Sequence, residues 1–452
     1  MLFTILLPFL DIYHLETRFR CLTYGIHKEQ GANTTGEEIV HLNTNEIHQN
    51  DEKHESNQNN AYTNANFFTA AFTQNPYPVY EKLRKDDPVF KVMFPQGEFG
   101  WIISRYEDAV QVLKDSRFSK DMIKRYGAEH QSIFSSNMLF SDPPDHRRLR
   151  GLVQKAFTPK LVADMRSHIQ SIADTLLDHL PSQETMNLID DFAFPLPIIV
   201  ISEILGVPTE DRDKFRMWSN TVIDASTAKS PELFEQHERE FTEYLTAWFA
   251  KVRKDPGQDL ISQLVIAEEA GEQLTEKELL GVVSLLIIAG HETTVNLIGN
   301  GILALLEHPE QRDLLIQQPE LIHQAIEEML RYNGPVEFST SRWASEDIEF
   351  RGQRIAKGEM VIVALDSANR DEEQFKDPKV FDITREKSAH LAFGKGIHLC
   401  LGAPLARLEG EIAVSTLLNR FPNMRLQADV DTLEWRPGMI VRGVKEIPVQ
   451  LK

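Results

Sequence analysis

One apolar run, from Thr275 to about Glu307, limits what this chain can fold into more than any other stretch. It opens with Thr275-Glu276-Lys277-Glu278, a capping box in which a threonine and a glutamate three residues later cap the first turn of a helix. At about 1.5 Å per residue, a helix that reaches Glu307 would be roughly 48 Å long, enough to cross a large domain. Residues 279–289 are apolar on nearly every side, which predicts a buried helix.

Polar residues interrupt this helix at its centre, in the sequence Ala289-Gly290-His291-Glu292-Thr293-Thr294. The His-Glu step invites a zinc-protease interpretation, but that motif needs a second histidine where this chain has Val295. A threonine inside a helix most often bonds back to the carbonyl four residues earlier, which is the structural alternative for Thr293. Gly290 weakens the same turn, and few buried helices carry both features without a functional reason.

A second constraint is the loop Phe393-Gly394-Lys395-Gly396-Ile397-His398-Leu399-Cys400-Leu401-Gly402, which holds one of only 2 cysteines. Its glycines allow tight turns and a close approach of backbone to a flat ligand. A helix is predicted from Ala403, with Pro404 in its first turn. Cys400 then lies at a helix N-terminus, which favours a thiolate. The alternative that stays open is a buried structural cysteine. A dinucleotide-binding loop is excluded because Leu399 stands where its third glycine belongs, and a Cys-x-x-Cys site is excluded because the sequence has no such motif.

This loop matches, without departure, the haem-binding sequence Phe-Gly-x-Gly-x-His-x-Cys-x-Gly, and from about residue 65 to 452 the chain resembles the cytochrome P450 family. A lone thiolate suits one axial bond to haem iron. The resemblance implies a mainly α-helical fold, a triangular helical prism with a small β-rich lobe. It also implies haem b held through Cys400, with Phe393, His398 and Gly402 against the cofactor. The chain looks closest to soluble bacterial members, including some that hydroxylate macrolide-like products.

The resemblance assigns further roles, each with a plainer structural alternative. Glu292 and Thr293 would deliver protons to dioxygen, and Ala289 and Gly290 would make room for it. Four basic residues would neutralise the haem propionates: His146, Arg150, Arg342 and His398. The structural alternative for each is a solvent-exposed side chain or, for the loop histidine, a side chain hydrogen-bonded within its loop. Three more residues would form a buried group that supports the cysteine loop: Glu328, Arg331 and Arg385. Glu328 and Arg331 are three residues apart, so an ordinary ion pair on a helix surface is the structural alternative for them. Candidate substrate-lining residues, each also readable as core, are Met138, Leu139, Leu285, Val336, Phe338 and Ile440.

Composition excludes several classes of protein. A formal charge of -20 argues against a nucleic-acid binder. Two distant cysteines give no disulfide framework and favour a reducing cytoplasm. No run approaches ~20 uninterrupted apolar residues, so we expect no membrane span. Residues 1–62 are polar and poor in aromatics after an apolar start, which predicts a disordered extension before a haem-thiolate monooxygenase domain at 63–452. A peripheral anchor at residues 2–10 is the alternative for that start.

The expected reaction inserts one atom of dioxygen into a C–H bond of a mid-sized to large apolar substrate. The protein is expected to act as a monomer. Because no flavin or nucleotide domain follows the cysteine loop, electrons from NAD(P)H are expected to arrive through a separate ferredoxin or flavodoxin with its reductase. A hydrogen-peroxide-driven peroxygenase and a non-catalytic haem protein that binds a ligand remain as alternatives.

Overall fold

The computed structural model describes residues 67–94, 97–127, 132–182, 184–224, 231–269, 274–386 and 389–452. The predicted extension at residues 1–62, its boundary with the following domain, and Cys21 lie outside these ranges. Within them the chain is mostly helical, and its helices surround the long apolar helix predicted from sequence.

Helices account for most of the described chain. In order they are α1 Ala70–Gln74, α2 Tyr77–Asp86, α3 Tyr106–Lys114, α4 Met122–Tyr126, α5 Asp145–Gln154, α6 Pro159–Asp164, α7 Arg166–Asp178, α8 Pro195–Leu205, α9 Arg212–Asp224, α10 Pro231–Lys254, α11 Leu260–Glu269, α12 Glu276–Glu307, α13 Pro309–Gln317, α14 Ile322–Tyr332, α15 Leu365–Ala368 and α16 Ala403–Arg420. Short 3-10 turns connect several of them: Ile133–Ser135, Met138–Phe140, Lys155–Phe157, Thr209–Asp211, Pro319–Leu321, Gly396–His398 and Val430–Thr432. A π-helical turn, Ile189–Ala193, precedes α8.

The strands form three small sheets. They are β1 Val89–Met93, β2 Phe99–Ile103, β3 Phe118–Ser119, β4 Thr185–Asn187, β5 Arg342–Ala344, β6 Ile348–Phe350, β7 Gln353–Ile355, β8 Met360–Val363, β9 Arg425–Leu426 and β10 Pro448–Gln450. The largest sheet has the order β1-β2-β8-β5-β3, in which only β2 and β8 run parallel. Strands β1 and β2 form an antiparallel hairpin. The other two sheets are β4-β10-β9 and β6-β7.

Helix α12 is the core of the protein. The Thr275 side chain accepts a hydrogen bond from the Glu278 N–H, and the Glu278 side chain accepts from the Thr275 N–H, so the predicted capping box is confirmed. The helix runs for 32 residues and packs against α8, α14 and α16. By length and apolar composition it could cross a membrane, but 78% of its most apolar window is buried inside this protein. Burial against other helices satisfies its apolar surface, as the sequence predicted.

Candidate active site

A cavity of about 220 Å³ lies between α12 and the loop that contains Cys400. Ala289, Gly290 and Thr293 contribute to its wall from α12, and the loop contributes residues 393–395 and 398–402. The rest of the wall is mostly apolar and includes Phe157, Ile201, Leu285, Leu286, Val336 and Leu365. The fold therefore brings the two sequence features singled out above to opposite sides of one apolar chamber.

The loop before Cys400 turns tightly because two of its glycines adopt left-handed backbone angles. Gly394 has φ 71° and Gly396 has φ 76°. A side chain at Gly396 would also place a Cβ 2.7 Å from the Leu113 carbonyl oxygen, so the loop can pack against the end of α3 only with glycine there. The Cys400 N–H donates to the Phe393 carbonyl at 3.0 Å, which closes the loop. Gly402 differs, with φ -80°, and needs no glycine conformation.

The Cys400 thiol faces two opposing influences. Burial raises its pKa, while the N–H groups of Gly402 and Ala403 and the charge of Arg150 lower it. The N–H groups at the helix N-terminus therefore act in the predicted direction, although the net pKa of the thiol lies above its ordinary value because burial opposes them. The predicted N–H groups are present, but loss of hydration outweighs them. A coordinated metal ion would reverse this balance, since it deprotonates a bound thiol outright.

Five basic side chains surround one side of the cavity, and we call them the cavity cations: Lys120, His146, Arg150, Arg342 and His398. Four of them line the wall. The fifth, His146, is 3% exposed, and its ring centroid lies 4.4 Å from that of His398. Sequence reasoning missed Lys120, which no motif marks. It reaches the others because β3 pairs with β5, which brings the Lys120 Nζ within 2.5 Å of the Thr340 hydroxyl.

The cavity cations are not matched by carboxylates. Among the described residues, none of the five forms an ion pair with a carboxylate. The nearby Asp142 accepts from the Lys120 N–H and the Ser119 hydroxyl, and its charge only partly opposes the effect of burial on the pKa of Lys120, His146 and Arg342. Burial, reinforced by Arg342, holds the pKa of Lys120 well below its usual range. Burial, reinforced by Arg150 and Lys120, lowers the pKa of His146 to about 4.

His398 and Arg342 show the same effect. Burial, followed by the charges of Lys120 and His146, lowers the pKa of His398 strongly. Burial lowers the pKa of Arg342 to about 10, and its Nη1 donates to the Thr340 carbonyl at 3.2 Å. Unmatched buried cations are costly unless a ligand supplies opposite charge.

The residues present fit a flat dianionic cofactor. Neither ring nitrogen of His146 has a hydrogen-bond partner within the described ranges, although the residue is buried. Such unpartnered ring nitrogens beside other basic groups suit the two carboxylates of a haem, whose charge favours the protonated imidazole. Cys400 lies on the same cavity wall and would supply the axial sulfur ligand.

The two polar residues at the centre of α12 point to different places. Thr293 lines the cavity, and its hydroxyl donates to the Ala289 carbonyl at 2.9 Å, the back-bond expected for a helical threonine. Glu292 does not line the cavity. Its carboxylate lies 3.3 Å from both the His291 Nε2 and the Arg436 Nη1. Burial raises the pKa of Glu292, but His291 and Arg436 outweigh burial and hold it below its ordinary value.

Gly290 serves packing as well as space in the cavity. A Cβ at this position would lie 2.7 Å from the Ile201 Cγ1 atom, so glycine allows α8 to approach α12 closely. Both residues also line the cavity. The small residue predicted from the sequence is therefore required by a helix contact that no local pattern reveals.

Glu328, Arg331 and Arg385, the meander anchor, form a buried and fully matched cluster. Arg331 donates to both Glu328 oxygens at 2.7 Å, and the Arg385 Nε donates to the Glu328 Oε2 at 3.1 Å. The remaining guanidinium N–H groups bond carbonyls of Asn369 and of residues 376–380. Its bonds go to the segment before the cysteine loop, and support of the loop through that segment remains a prediction.

A second cluster, missed in the sequence, contacts the loop itself. Arg407 donates to the Glu327 carboxylate at 2.6 Å and lies 4.5 Å from the centre of the Phe393 ring. His390 lies 3.2 Å from the same carboxylate. We call Glu327, Arg407 and His390 the loop anchor. Burial raises the pKa of Glu327, but His390 and Arg407 outweigh it and lower the pKa to about 2. The one signal in the sequence that could have indicated this cluster is the proximity of Arg407 to Cys400.

The candidate substrate residues divide into two groups. Met138, Leu139, Leu285 and Val336 line the cavity. Phe338 and Ile440 do not: both are buried, with Phe338 packed edge-on against Tyr80 and the Ile440 carbonyl bonded to the Glu337 N–H. The geometry assigns these last two to the core.

Comparisons with known proteins match this architecture. The family model "Cytochrome P450" matches residues 56–214 and 197–451. The chain is 43% identical to the polyketide biosynthesis cytochrome P450 PksS of Bacillus subtilis (strain 168), over 84% of this chain and 96% of that protein. It is also 43% identical to the cytochrome P450 monooxygenase PikC of Streptomyces venezuelae, over 84% and 92%. A solved structure, myxobacterial cytochrome P450 CYP267B1 in complex with myristic acid, has a TM-score of 0.81 at 42% identity, over 85% of this chain and 98% of that one.

These matches confirm the predicted fold, mainly α with a small β-rich lobe. Each match covers most of this chain and most of the relative, and the sequence identities are high enough to establish the family as well as the fold. This chain belongs to the cytochrome P450 family and is an oxidoreductase, a haem-iron monooxygenase.

Proposed function

We propose that this protein hydroxylates a mid-sized to large apolar substrate, with haem b bound through Cys400 and electrons delivered from NAD(P)H by a separate ferredoxin or flavodoxin and its reductase. The observation that carries the proposal is the single cavity that holds Cys400 and Thr293 together inside an apolar wall. Haem bound there supplies the activation of dioxygen. The polyketide-related name of one relative and the fatty acid in a solved neighbour agree with an apolar substrate. We further propose that the protein is a cytoplasmic monomer.

The protein's own residues have three tasks in this reaction. The cavity cations hold the cofactor's carboxylates, which fixes its orientation. The apolar wall, including Met138, Leu285 and Val336, excludes water and orients the substrate C–H bond. The Thr293 hydroxyl holds a proton-donating water inside the cavity, while Glu292, on the same turn of α12, relays protons from the Arg436 side.

The first experiment asks whether Cys400 ligates the iron. The reduced carbon-monoxide adduct of freshly purified protein should absorb near ~450 nm, which marks a thiolate opposite the ligand. Cys400→Ala should lose this band, and Cys21→Ala should retain it. A band near ~420 nm alone in the wild type would overturn the assignment. A shift of the resting spectrum with fatty acids, terpenes, steroids or macrolides would then identify the substrate class.

The second experiment separates monooxygenase from peroxygenase. Thr293→Val keeps the side-chain shape and removes the hydroxyl, so NAD(P)H should still be consumed while hydrogen peroxide leaves in place of product. Losing one critical hydrogen bond predicts a drop of roughly 5- to 150-fold in product per electron pair. Thr416→Val is the matched control, since Thr416 makes the same back-bond, to Ile412, on α16 away from the cavity wall.

Equal coupling in Thr293→Val and wild type would reduce Thr293 to an ordinary helical residue. Efficient product formation from added peroxide in that case would favour the peroxygenase. Retention of the ~450 nm band with no turnover under either condition would favour a non-catalytic haem protein.

A further inference from the structure

Two buried carboxyl groups, Glu337 and Asp366, lie together behind the wall of the cavity, and we call them the acid pair. Asp366 is 1% exposed and Glu337 is 3% exposed. The backbone holds them close, because the N–H of Leu365, the residue before Asp366, donates to the Glu337 carbonyl at 2.8 Å. Neither acid lines the cavity, and the proposed mechanism gives them no role.

Each member of the acid pair follows directly after a residue of the cavity wall. Val336 precedes Glu337, and Leu365 precedes Asp366. Both of these apolar residues line the cavity of the candidate active site. The acid pair is therefore joined, through one peptide bond on each side, to two side chains of the surface that would hold the substrate.

The acid pair has too few hydrogen-bond donors around it for two charges. The Tyr80 hydroxyl of α2 donates to the Glu337 Oε1 at 2.7 Å, but neither oxygen of Asp366 has a partner among the described residues. The nearby Arg442 uses its Nη atoms on two carbonyls of α1, at 2.6 and 3.3 Å, and its Nε has no partner within the described ranges. Two ionised carboxylates at this place would leave one of them without compensation.

Basic and phenolic groups surround the acid pair. Burial, followed by the charge of Glu337, raises the pKa of Asp366 well above its ordinary value, against the opposing charges of Arg442 and Arg370. Burial also raises the pKa of Glu337, which Arg442 and the Tyr80 hydroxyl oppose. The groups that face the acid pair are Tyr77 and Tyr80 of α2, Arg370 after α15, and Arg442, whereas Arg84 of α2 is committed to Ser367 and Glu372.

We propose that the acid pair holds one proton and one negative charge, and that this proton fixes the position of Val336 and Leu365 in the cavity wall. With the proton on Asp366, only Glu337 is charged, and the neighbouring hydroxyl and guanidinium are enough to balance it. Loss of the proton to solvent leaves two like charges in one buried place, and their repulsion separates the two segments. Both acids are positioning residues, since they do not line the cavity. The consequence for substrate binding rests on the proposed function.

A polar cleft gives the proton a route to solvent. The cleft has a volume of about 250 Å³ and is lined by Tyr77 and Arg370, two of the groups that face the acid pair. The Arg370 guanidinium lies 3.4 Å from the centre of the Tyr77 ring. No residue that lines this cleft also lines the cavity of the candidate active site. The acid pair can therefore exchange its proton with solvent without passing it through the active site.

The first test detects the proton through stability and needs no turnover. The unfolded chain ionises Asp366 and Glu337 near their ordinary values of 3.8 and 4.5, whereas the folded chain keeps a proton to higher pH. The wild type therefore loses stability as pH rises above this range. Asp366→Asn keeps an N–H donor and removes the titration. In urea unfolding of the holoenzyme, the ratio of the wild-type to the variant unfolding constant should rise about tenfold per pH unit until the folded pair has lost its proton.

Glu373→Gln is the matched control for this test, because Glu373 is an acid outside the pair whose side chain is 70% exposed. Its ratio to the wild type should not rise in this way. A ratio for Asp366→Asn that stayed constant with pH would show that the acid pair holds no proton. If Asp366→Asn is recovered without haem, Glu337→Gln provides the same comparison, since its amide oxygen can still accept from Tyr80.

The second test asks whether the proton positions the cavity wall. Two ligands of haem iron are compared: imidazole, which needs little space, and 4-phenylimidazole, whose phenyl ring must fit against the apolar wall. Dissociation constants are measured from the shift of the haem spectrum, and the ratio of wild type to Asp366→Asn at each pH cancels the titration of the ligand itself. This ratio should rise with pH by about fivefold for 4-phenylimidazole, as expected for coupling between two sites, and should stay constant for imidazole.

The outcomes separate this proposal from the proposed function. If stability reveals the proton but the 4-phenylimidazole ratio does not change with pH, the acid pair does not position the wall and the proposal is wrong. Equal changes for both ligands would place the effect at the iron and would also overturn it. Neither measurement requires product, so a protein that fails to hydroxylate any substrate would contradict the proposed function and leave both of these results standing.

Discussion

The meander anchor and the cavity cations both gather ionisable side chains largely away from solvent, but they are built on opposite plans. In the meander anchor, one carboxylate accepts from two guanidinium groups, and the remaining N–H groups reach backbone carbonyls. Around the cavity, five basic groups lie together with no carboxylate partner among the described residues, and burial lowers the pKa of Lys120, His146, Arg342 and His398.

This difference shows how to distinguish charged side chains that stabilise the fold from charged side chains that bind a ligand. A buried ion pair whose bonds are all made stabilises one arrangement of the chain and has nothing left to offer a ligand. Buried cations that lack counter-ions are unfavourable until an anion binds, so the binding energy of that anion is partly the relief of their cost. Both regions bring basic side chains together away from bulk solvent, and the presence of carboxylate partners distinguishes them.

The largest expected effect comes from breaking the matched cluster. Glu328→Ala leaves Arg331 and Arg385 buried without a carboxylate, and we expect the free energy of unfolding to fall by about 3–5 kcal/mol. Little haem-loaded protein should be recovered. The measurement is denaturant unfolding together with haem content.

The control for that change is Arg166→Ala, which removes an exposed partner of Glu411. Surface ion pairs are worth about 0–1 kcal/mol, so its stability should change little. If Glu328→Ala unfolded at the same denaturant concentration as this control, the meander anchor would not be the satisfied structural unit described here.

The next largest expected effect concerns the cavity cations and the rate at which haem is lost. Arg342→Gln removes one cavity cation, and we expect haem to leave about 10- to 100-fold faster, from the loss of a charge-assisted interaction worth about 1.5–3 kcal/mol. The measurement is the rate of haem transfer from the holoenzyme to an excess of a haem-free globin.

Arg147→Gln is the matched control, because Arg147 lies next to His146 but is exposed. Its haem loss should equal that of the wild type. Equal rates in Arg342→Gln and Arg147→Gln would show that the cavity cations do not hold the cofactor.

The sequence predicted the parts of this molecule that local chemistry determines. The capping box of α12 and the spacing of Glu328 and Arg331 each lie within four residues, so the chain needs only to form a helix to bring them together. The cysteine loop was predictable because its glycines and cysteine form one continuous motif, and two of those glycines do adopt left-handed angles.

Contacts between distant residues were not predictable. Lys120 meets Thr340 only through the pairing of β3 with β5, and Arg436 meets Glu292 from 144 positions away. The two influences on the Cys400 pKa differ in the same way: the helix terminus that lowers it is local, whereas the burial that raises it comes from the whole fold. No single-sequence pattern reports how completely a side chain will be dehydrated.

The smallest expected effect tests an intermediate case, the loop anchor, which is matched like the meander anchor but only partly buried. Because the folded pKa of Glu327 is about 2, below its ordinary 4.5, its charged form stabilises the protein above pH 4.5, and this contribution is lost as pH falls toward 2. Glu327→Gln should therefore lower the free energy of unfolding by about 1–2 kcal/mol at neutral pH, a value reduced for solvent screening. Urea unfolding at a series of pH values should show the gap from wild type narrowing below pH 4.5. If the difference in free energy of unfolding between wild type and Glu327→Gln stayed constant on acidification, Glu327 would stabilise the protein through packing and not through its charge. The number of hydrogen bonds that a buried charge makes would then not predict its contribution to stability in this protein.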